Sequence, residues 1–397
     1  ISKLNNNRAS GFDNVSAEML KNCPNEIKTE IKNVFNNSIQ QNTDMETGVG
    51  LLNPIQKPNK QRGPPANLRP LSLLPSNRKI LSNVVLNRVK VKVNNYLSHS
   101  QSAYRRSRST GDIVWAYRWT IAKLQNVKLK TYVTGIDLSS AFDTINRKKL
   151  IIILEHILDK DELQMFKYLL LNTVLTINLK YVFTVSFHTN IGSPQGDGLS
   201  GVLFIVYFEN TLKELRSVID ATHQIQNKYV KHENPPEETI YADDCDFITT
   251  NKERDDKLNE IFSDILLKDD LKANITKTER TIIERGNNDT EKWRTVKKLG
   301  SLLGDKEDIQ RRKQLAIVAM NKYEKLWIRN NNVREEIKLD LFQKFVIPIL
   351  LYNCECWGMT IQDENKLDSF HRRQLRRTIG KKYPDKISNK SLYKHTN

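Results

Sequence analysis

Apolar positions along the chain change period several times, and each change marks an expected element. Residues 1–50 are polar with helical spacing over 15–21 and 26–39. Residues 51–57 alternate as a strand, 57–66 are rich in Pro and Gly and read as a loop, and 68–74 read as the returning strand. Together they predict a β-hairpin that carries Lys57 and Arg69. Residues 78–98 predict a basic amphipathic helix with Ile80, Val84, Leu86, Val89 and Leu97 on its apolar side. A basic loop at 104–110 leads into a helix over 113–124 that contains Trp115 and Trp119.

Residues 132–138 form a β-branched strand that ends in Asp137. Asn146 is placed to cap a helix running to about 158, and a second helix covers 160–171. Strand-like segments follow over 175–187, then a tight loop, Gly192-Ser-Pro-Gln-Gly-Asp-Gly, and an apolar helix over 199–215. Residues 220–238 are a polar insertion containing Pro235-Pro236. Residues 239–249, TIYADDCDFIT, predict a second hairpin with Asp243 and Asp244 at its tip. A helix over 252–267 and an edge strand over 276–283 come next. From Lys297 the pattern is helical to the end. Ala316, Ala319, Met320, Tyr323, Leu326 and Trp327 share one face, read as core. In 367–379, Leu367, Phe370, Leu375 and Ile379 share a face, with Arg372, Arg373, Arg376 and Arg377 opposite.

Composition narrows the class. The 397 residues are 38% hydrophobic, enough for a large core split over two or three subdomains rather than a disordered chain. The chain starts at Ile1 and reads as a piece of a longer protein. No apolar run approaches the length of a membrane span, and no membrane partner is expected. The four cysteines, Cys23, Cys245, Cys354 and Cys356, form no CxxC pair, so a zinc site or a disulfide framework is not indicated and a reducing compartment fits. The net charge of +17 is concentrated: residues 51–130 hold sixteen Lys and Arg against the single acid Asp112. Residues 361–397 add ten basic against four acidic side chains. Such a one-sided excess suggests a polyanion, most simply nucleic acid.

The adjacent carboxylates of Asp243 and Asp244 repel, and a divalent cation would offset that cost. An isolated Asp-Asp pair also occurs as a solvated turn. Phosphoryl transfer by two Mg²⁺ ions needs carboxylates at the ends of adjacent strands. Asp137 is a third acid ending a strand, but spacing alone cannot bring it beside the pair.

Tyr241-Ala-Asp-Asp, preceded by Gly135-Ile-Asp-Leu-Ser-Ser-Ala-Phe-Asp and Ser193-Pro-Gln-Gly-Asp-Gly-Leu-Ser, resembles a reverse transcriptase, and most nearly the non-LTR retrotransposon type. The resemblance extends to residues 8–13, 68–74, 101–112, 275–279, 299–301, 350–357 and 385–389, in the family's order. It implies an α+β right-hand polymerase of fingers, palm and thumb, with an antiparallel palm sheet and a helical thumb. The implied divisions are an N-terminal helical extension at 1–50, fingers at 51–130, palm at 131–298 with a finger-like insert near 150–187, and thumb with a basic helical region at 299–397. The implied activity is RNA-directed DNA synthesis from a primer 3′-end, with an RNA template, a DNA primer or target DNA, and dNTP as substrate. Two Mg²⁺ ions would serve it, Mn²⁺ being a substitute. The implied setting is intracellular, and the nucleus for a eukaryotic retrotransposon.

The family's roles fall on matching positions. Asp137, Asp243 and Asp244 would hold the metals with the backbone carbonyl of Leu138. Phe142 would be the steric gate against a ribose 2′-hydroxyl, its alternative an ordinary core Phe. Gln195 would touch the incoming dNTP, and Gly196 would allow close backbone approach. Lys57 and Arg69 would grip the triphosphate. Lys277 would protonate pyrophosphate, and Leu299-Gly-Ser would form a hairpin under the primer end. The basic loop with Arg105, Arg106 and Arg108, and the four arginines of 367–379, would contact nucleic acid. The chain departs from the family at Leu68, usually aromatic, and at Gly198 or Gly201, often Pro. Rival readings are a group II intron-type maturase, which usually has Gly-Gly after Pro-Gln, and a catalytically silent RNA-binding scaffold, which commonly loses palm acids.

Overall fold

The structure is a computed structural model that describes all residues except 42–47, 59, 127–128, 172, 180–181, 194–195, 223–235, 285–291, 382–383, 385 and 397. In chain order the described elements are α1 (Ala17–Asn22), α2 (Asn25–Gln41), β1 (Val49–Gln56), β2 (Leu68–Leu73), α3 (Ser76–Tyr96), α4 (Thr110–Asn126), β3 (Thr131–Ile136), α5 (Arg147–Glu155) and α6 (Lys160–Leu171). They continue as β4 (Val174–Leu179), β5 (Val182–Phe183), β6 (Phe187–His188), α7 (Ser200–Thr222), β7 (Glu238–Tyr241), β8 (Asp244–Thr249), α8 (Lys252–Lys268) and β9 (Glu279–Ile283). The last are β10 (Lys297–Lys298), β11 (Ser301–Leu302), α9 (Asp305–Tyr323), α10 (Glu335–Phe345), α11 (Ile347–Leu350), α12 (Ile361–Thr378) and α13 (Asn389–Thr396).

One sheet has the order β7-β8-β3-β9, antiparallel throughout. Its central strand β3 is covered on both faces, which is why it reads as a β-branched run rather than a clean alternation. Ile136 points into a core with α3, α5, α7 and α8, while Val133 points the other way, against Ile113 and Tyr117 of α4. The helix α7 is the middle of the first core: Leu203, Phe204, Ile205, Val206, Tyr207 and Phe208 are all buried, so it is apolar on every side. Asn146 caps α5, its side chain accepting from the backbone N–H groups of Lys148 and Lys149.

A second sheet runs β2-β1-β4-β5, with β6 also on β4. β1 and β2 are the expected hairpin, paired from Leu51↔Leu73 to Gln56↔Leu68. The segment after α6 joins them through β4, parallel to β1.

The C-terminal helices build their own core around Met320, Trp327, Phe342, Phe370 and Leu375. Among the contacts that tie them to α4 is a buried network. Asp308, fully buried, accepts from Leu302 N (2.9 Å), Trp357 Nε1 (3.0 Å) and Arg118 (3.3 Å). Arg118 also donates to the carbonyls of Cys356 (2.9 Å) and Leu302 (2.8 Å).

Three expectations about elements need correction. The buried row of α3 is Leu81, Val85, Val89 and Val93, and Val84 is exposed. Arg78, which an apolar count leaves out, is buried on that helix against Asp197 (2.9 Å) and sets which face turns inward. The stripe through Tyr323, Leu326 and Trp327 is broken by a π turn over Glu324–Ile328. Its wider winding rotates the register, so Leu326 is 67% exposed while Trp327 and Ile328 are buried. The chain beyond Lys297 is not helical at once: β10 and β11 first form a tight hairpin, at the Leu299-Gly-Ser segment where the family resemblance implies one. Leu299 and Gly300 both take positive φ there (45° and 82°), the pattern of a type I′ turn.

Candidate active site

The pairing of β3 with β8 brings the three acids together. The last paired residues are Ile136 and Cys245, so Asp137 and Asp244 fall one step beyond, at the same end of adjacent strands. Asp243 lies in the two-residue turn between β7 and β8, after Ala242. Ala242 has a φ of 57°, where hairpin turns ordinarily place Gly. The buried side chain of Gln101 holds it, its Oε1 accepting from Ala242 N (3.1 Å) and Ala103 N (2.9 Å). The preceding backbone zips onto β7, Ser102 N donating to Ile240 O (2.9 Å) and Ile240 N to Ser100 O (3.1 Å).

A second fastening fixes the stretch after β3. Asn274 N donates to the carbonyl of Asp137 (2.7 Å), Ser139 N donates to Lys272 O (2.8 Å), and Leu138 bridges Ala273. The edge strand β9 begins only at Glu279, because residues 274–278 coil into a turn, Lys277 N and Thr278 N donating to Asn274 O. That turn sets Lys277 Nζ 3.4 Å from Asp137 Oδ2.

Electrostatics mark the cluster. Burial raises the carboxyl of Asp243, the charge of Asp137 raises it further, and Lys277 opposes both. Asp244 is pushed up to about 6, by burial first and then by the charges of Asp243, Asp246 and Asp137, with Lys298 opposing. Asp246 is buried and paired with Lys298 Nζ (2.5 Å).

Two cavities flank the acids. The larger, about 600 Å³, is the size of a small-molecule site. Lys57 and Arg69 line it, with Leu138, Phe142, Asp243, Gly196 and Tyr104. The Phe142 ring borders it while packing on Phe204, centroids 4.5 Å apart, so the side chain is both core and wall. Gly196, at φ 121°, lies against β2, where an added Cβ would overlap the Ser72 carbonyl oxygen. Its close approach is therefore to the protein's own strand. Gln195 lies outside the described residues. The smaller cavity, about 330 Å³, is lined by Asp137, Asp244, Asp246, Lys277, Lys298 and Leu299.

The basic residues divide. Arg106 and Arg108 are exposed. Arg105 is not free for a partner: it donates to Asn94 Oδ1 (2.9 Å) and to the carbonyls of Ser98 (2.6 Å) and Gln101 (3.0 Å), bracing its own loop. The four arginines of α12 do not form an outward strip either. Arg372 pairs with Asp368 (3.2 Å). Arg376 donates to Ile387 O (3.1 Å) and Asn389 Oδ1 (2.8 Å), and Arg377 to Asn321 Oδ1 (2.7 Å) and Glu324 (3.0 Å). The helix is packed on that side as well, against α9 and its π turn and against the lead-in to α13. Arg373 is exposed, its guanidinium over the Phe370 ring.

Sequence reasoning missed Gln101, Tyr104 and the Asp246–Lys298 pair. One signal was available: Asp244 and Asp246 are two apart on a strand and so share a face. The other contacts join segments far apart in sequence.

A family model described as "Reverse transcriptase (RNA-dependent DNA polymerase)" matches residues 55–306. The chain belongs to the reverse transcriptase family. The matched span includes all four strands of the β7-β8-β3-β9 sheet and the three acids, and the whole is a right-hand polymerase fold with an antiparallel palm sheet and a helical thumb. A curated relative, "Probable RNA-directed DNA polymerase from transposon X-element" of Drosophila melanogaster, is 24% identical over 212 residues, covering 52% of this chain and 23% of the relative. The chain thus spans about a quarter of that protein's length. Among solved structures, telomerase from Candida albicans with a fragment of telomeric RNA aligns over 84% of this chain and 59% of that one, at 11% identity and a TM-score of 0.49. Apo telomerase from Candida tropicalis aligns over 93% and 74%, at 12% identity and a TM-score of 0.47.

Among the described residues of this reverse transcriptase, no three His, Cys, Asp or Glu side chains converge as a ready-made metal cage. The donor chemistry nevertheless fits Mg²⁺. Asp137, Asp243 and Asp244 offer hard oxygens whose mutual repulsion a divalent cation would relieve. Mg²⁺ usually takes only one or two carboxylates, the remainder being water and substrate phosphate.

Proposed function

We propose that this chain is the reverse transcriptase core of a non-LTR retrotransposon protein, and that it extends a DNA primer on an RNA template with dNTP. The relative from the X-element supports the retrotransposon assignment. The carrying observation is the joining of Asp137 to Asp243 and Asp244 between two cation-lined cavities. An intracellular setting, nuclear in a eukaryotic host, belongs to the same proposal.

Lys57 and Arg69 grip the triphosphate in the larger cavity, Arg69 through its paired N–H groups. Phe142 stands beside the sugar, where its ring leaves no room for a 2′-hydroxyl. Asp137, Asp243 and Asp244, with the Leu138 carbonyl, would hold two Mg²⁺ ions, Mn²⁺ substituting. Those ions, when bound, supply the Lewis acidity for in-line attack and for the leaving pyrophosphate. Lys277, the expected proton donor to pyrophosphate, lines the smaller cavity and not the one with Lys57 and Arg69, so its part is to offset the charge of Asp137 beside the primer end. Leu299 and Gly300 lie in the turn that supports the primer end, on the smaller cavity.

Primer extension on matched RNA and DNA templates tests this. Wild type should incorporate dNTP on RNA only when Mg²⁺ or Mn²⁺ is present. Asp137→Ala and Asp243→Ala should each abolish extension while template–primer binding survives. Absence of any RNA-templated synthesis by wild type sinks the activity, and undiminished synthesis by either variant sinks the site.

A further inference from the structure

The larger cavity has walls of distinct chemistry. Lys57 and Arg69 make a cationic end, Asp243 an acidic side, and Phe142 an aromatic side backed by Phe204. The rest of the described lining includes Leu68, Ser140, Asp143 and Asp197, and three glycines, Gly196, Gly198 and Gly201, at and before the start of α7. One side chain lies over the last of these. The Tyr104 ring rests on Gly201, where an added Cβ would come within 2.5 Å of Cζ and 2.6 Å of Cδ1.

Tyr104 is held there against ordinary preference. Its backbone has φ 56°, an uncommon conformation for a bulky residue, and its side chain is 56% exposed. The fastening of residues 100–102 to β7, with Gln101 bonded to both Ala103 N and Ala242 N, fixes it beside the acidic turn. Burial, then the charges of Asp243 and Tyr241, raises the phenol above its ordinary value. The result is a flat, partly wet ring that lies on Gly201 and lines the cavity. A planar, uncharged group suits such a ring, and the cationic end already takes the anionic part of the ligand.

We infer that Tyr104 is a positioning residue whose ring stacks on a nucleobase of the nascent pair beside Gly201 in this cavity. The inference rests on the reading that the cavity takes a nucleoside triphosphate. Base–aromatic stacking of this kind changes affinity by about 5- to 150-fold, and it accepts every base with a modest preference for those that stack best. Gly201 is the matching half: only a residue without Cβ lets the ring lie flat.

Single-nucleotide insertion on an RNA template tests it. Tyr104→Ala should raise the KM for all four dNTPs by about 5- to 150-fold, with a much smaller change in kcat. Tyr104→Phe should keep wild-type KM, since the ring and not the hydroxyl acts. Gly201→Ala should reproduce the Tyr104→Ala effect by displacing the ring. Alanine inside a helix is otherwise favoured over glycine, so that variant keeps the test open should Tyr104→Ala fail to fold. The double variant should lose no more than either single one. Opposite an abasic template site, where stacking alone guides insertion, wild type should prefer purines and the Ala variants should not. Unchanged KM and unchanged purine preference in Gly201→Ala or Tyr104→Ala, with wild type active, overturn the stacking role. A wild type that inserts nothing overturns the nucleotide reading itself, and this inference with it.

Discussion

Replacing Asp244 by Asn should stabilise the metal-free protein while damaging it as a polymerase. The Asp244 carboxyl titrates near 6 instead of 3.8, because burial and the charges of Asp243, Asp246 and Asp137 all disfavour its ionised form. At ~1.4 kcal/mol per pH unit, that shift sets a ceiling of ~3 kcal/mol on the penalty of holding the charge. Asp244 keeps an exposed surface, and solvent screening reduces the figure to about 1 kcal/mol. In a chain this long, such a gain lifts the thermal midpoint by roughly 1–2 °C. The sign follows from linkage. A carboxyl with a raised folded pKa is penalised when ionised, so the cost is full above about pH 6 and fades as pH falls towards 3.8. Thermal melts in EDTA should therefore show Asp244→Asn ahead of wild type at pH 8 and level with it near pH 4. Added Mg²⁺ should stabilise wild type more than the variant and narrow the gap at pH 8. A variant that melts at or below wild type at pH 8 in EDTA, or a gap that ignores pH, would refute the account of a charge held for a metal.

Phe142→Ala should lower the ratio of kcat/KM for a dNTP over its rNTP by a large factor, and should also cost ~1–3 kcal/mol of stability through the lost Phe204 contact. An unchanged ratio in an active variant would make Phe142 core alone. Asp308→Ala removes the buried acceptor shared by Leu302, Trp357 and Arg118, leaving Arg118 with Asp305 (3.2 Å) as its remaining carboxylate. Urea unfolding should show a loss of about 3–5 kcal/mol, and a loss under 1 would mean the network is not what ties the thumb to α4. Arg377→Gln should cost about 0.5–1 kcal/mol through Asn321 and Glu324 without altering the salt dependence of template–primer binding. Arg373, which lines a groove with Lys313, Lys366 and Arg376 and is the exposed one of the four α12 arginines, is the one whose replacement should reduce that salt slope by about one. A reduced slope in Arg377→Gln, or none in Arg373→Gln, reverses this division.

Much of the site was legible because its signals are local. Asn146 announces a cap, alternating residues announce the hairpins, and the Asp-Asp turn announces itself. The parts that escaped reading depend on partners distant in sequence. No local pattern tells that Arg105 will spend its donors on Ser98 and Gln101, or that Arg376 will reach residues 387 and 389. The π turn at 324–328 defeats a 3.6-residue period by design of its backbone, so Leu326 was assigned inward and lies outward. Gln101 looked like an ordinary polar residue, and only the fold shows it inside the acidic turn's frame.

The order of strands in the palm sheet has a consequence for synthesis of the chain itself. β3 leads directly into Asp137, yet both strands that flank it, β8 and β9, are made more than a hundred residues later. β1 likewise waits for β4 to supply its parallel neighbour. A nascent chain released from the ribosome before Ile283 would present β3 with an unsatisfied row of backbone donors and acceptors. Prematurely terminated products should therefore be sticky and bound by chaperones rather than be weak polymerases, and the site should appear all at once, late in translation.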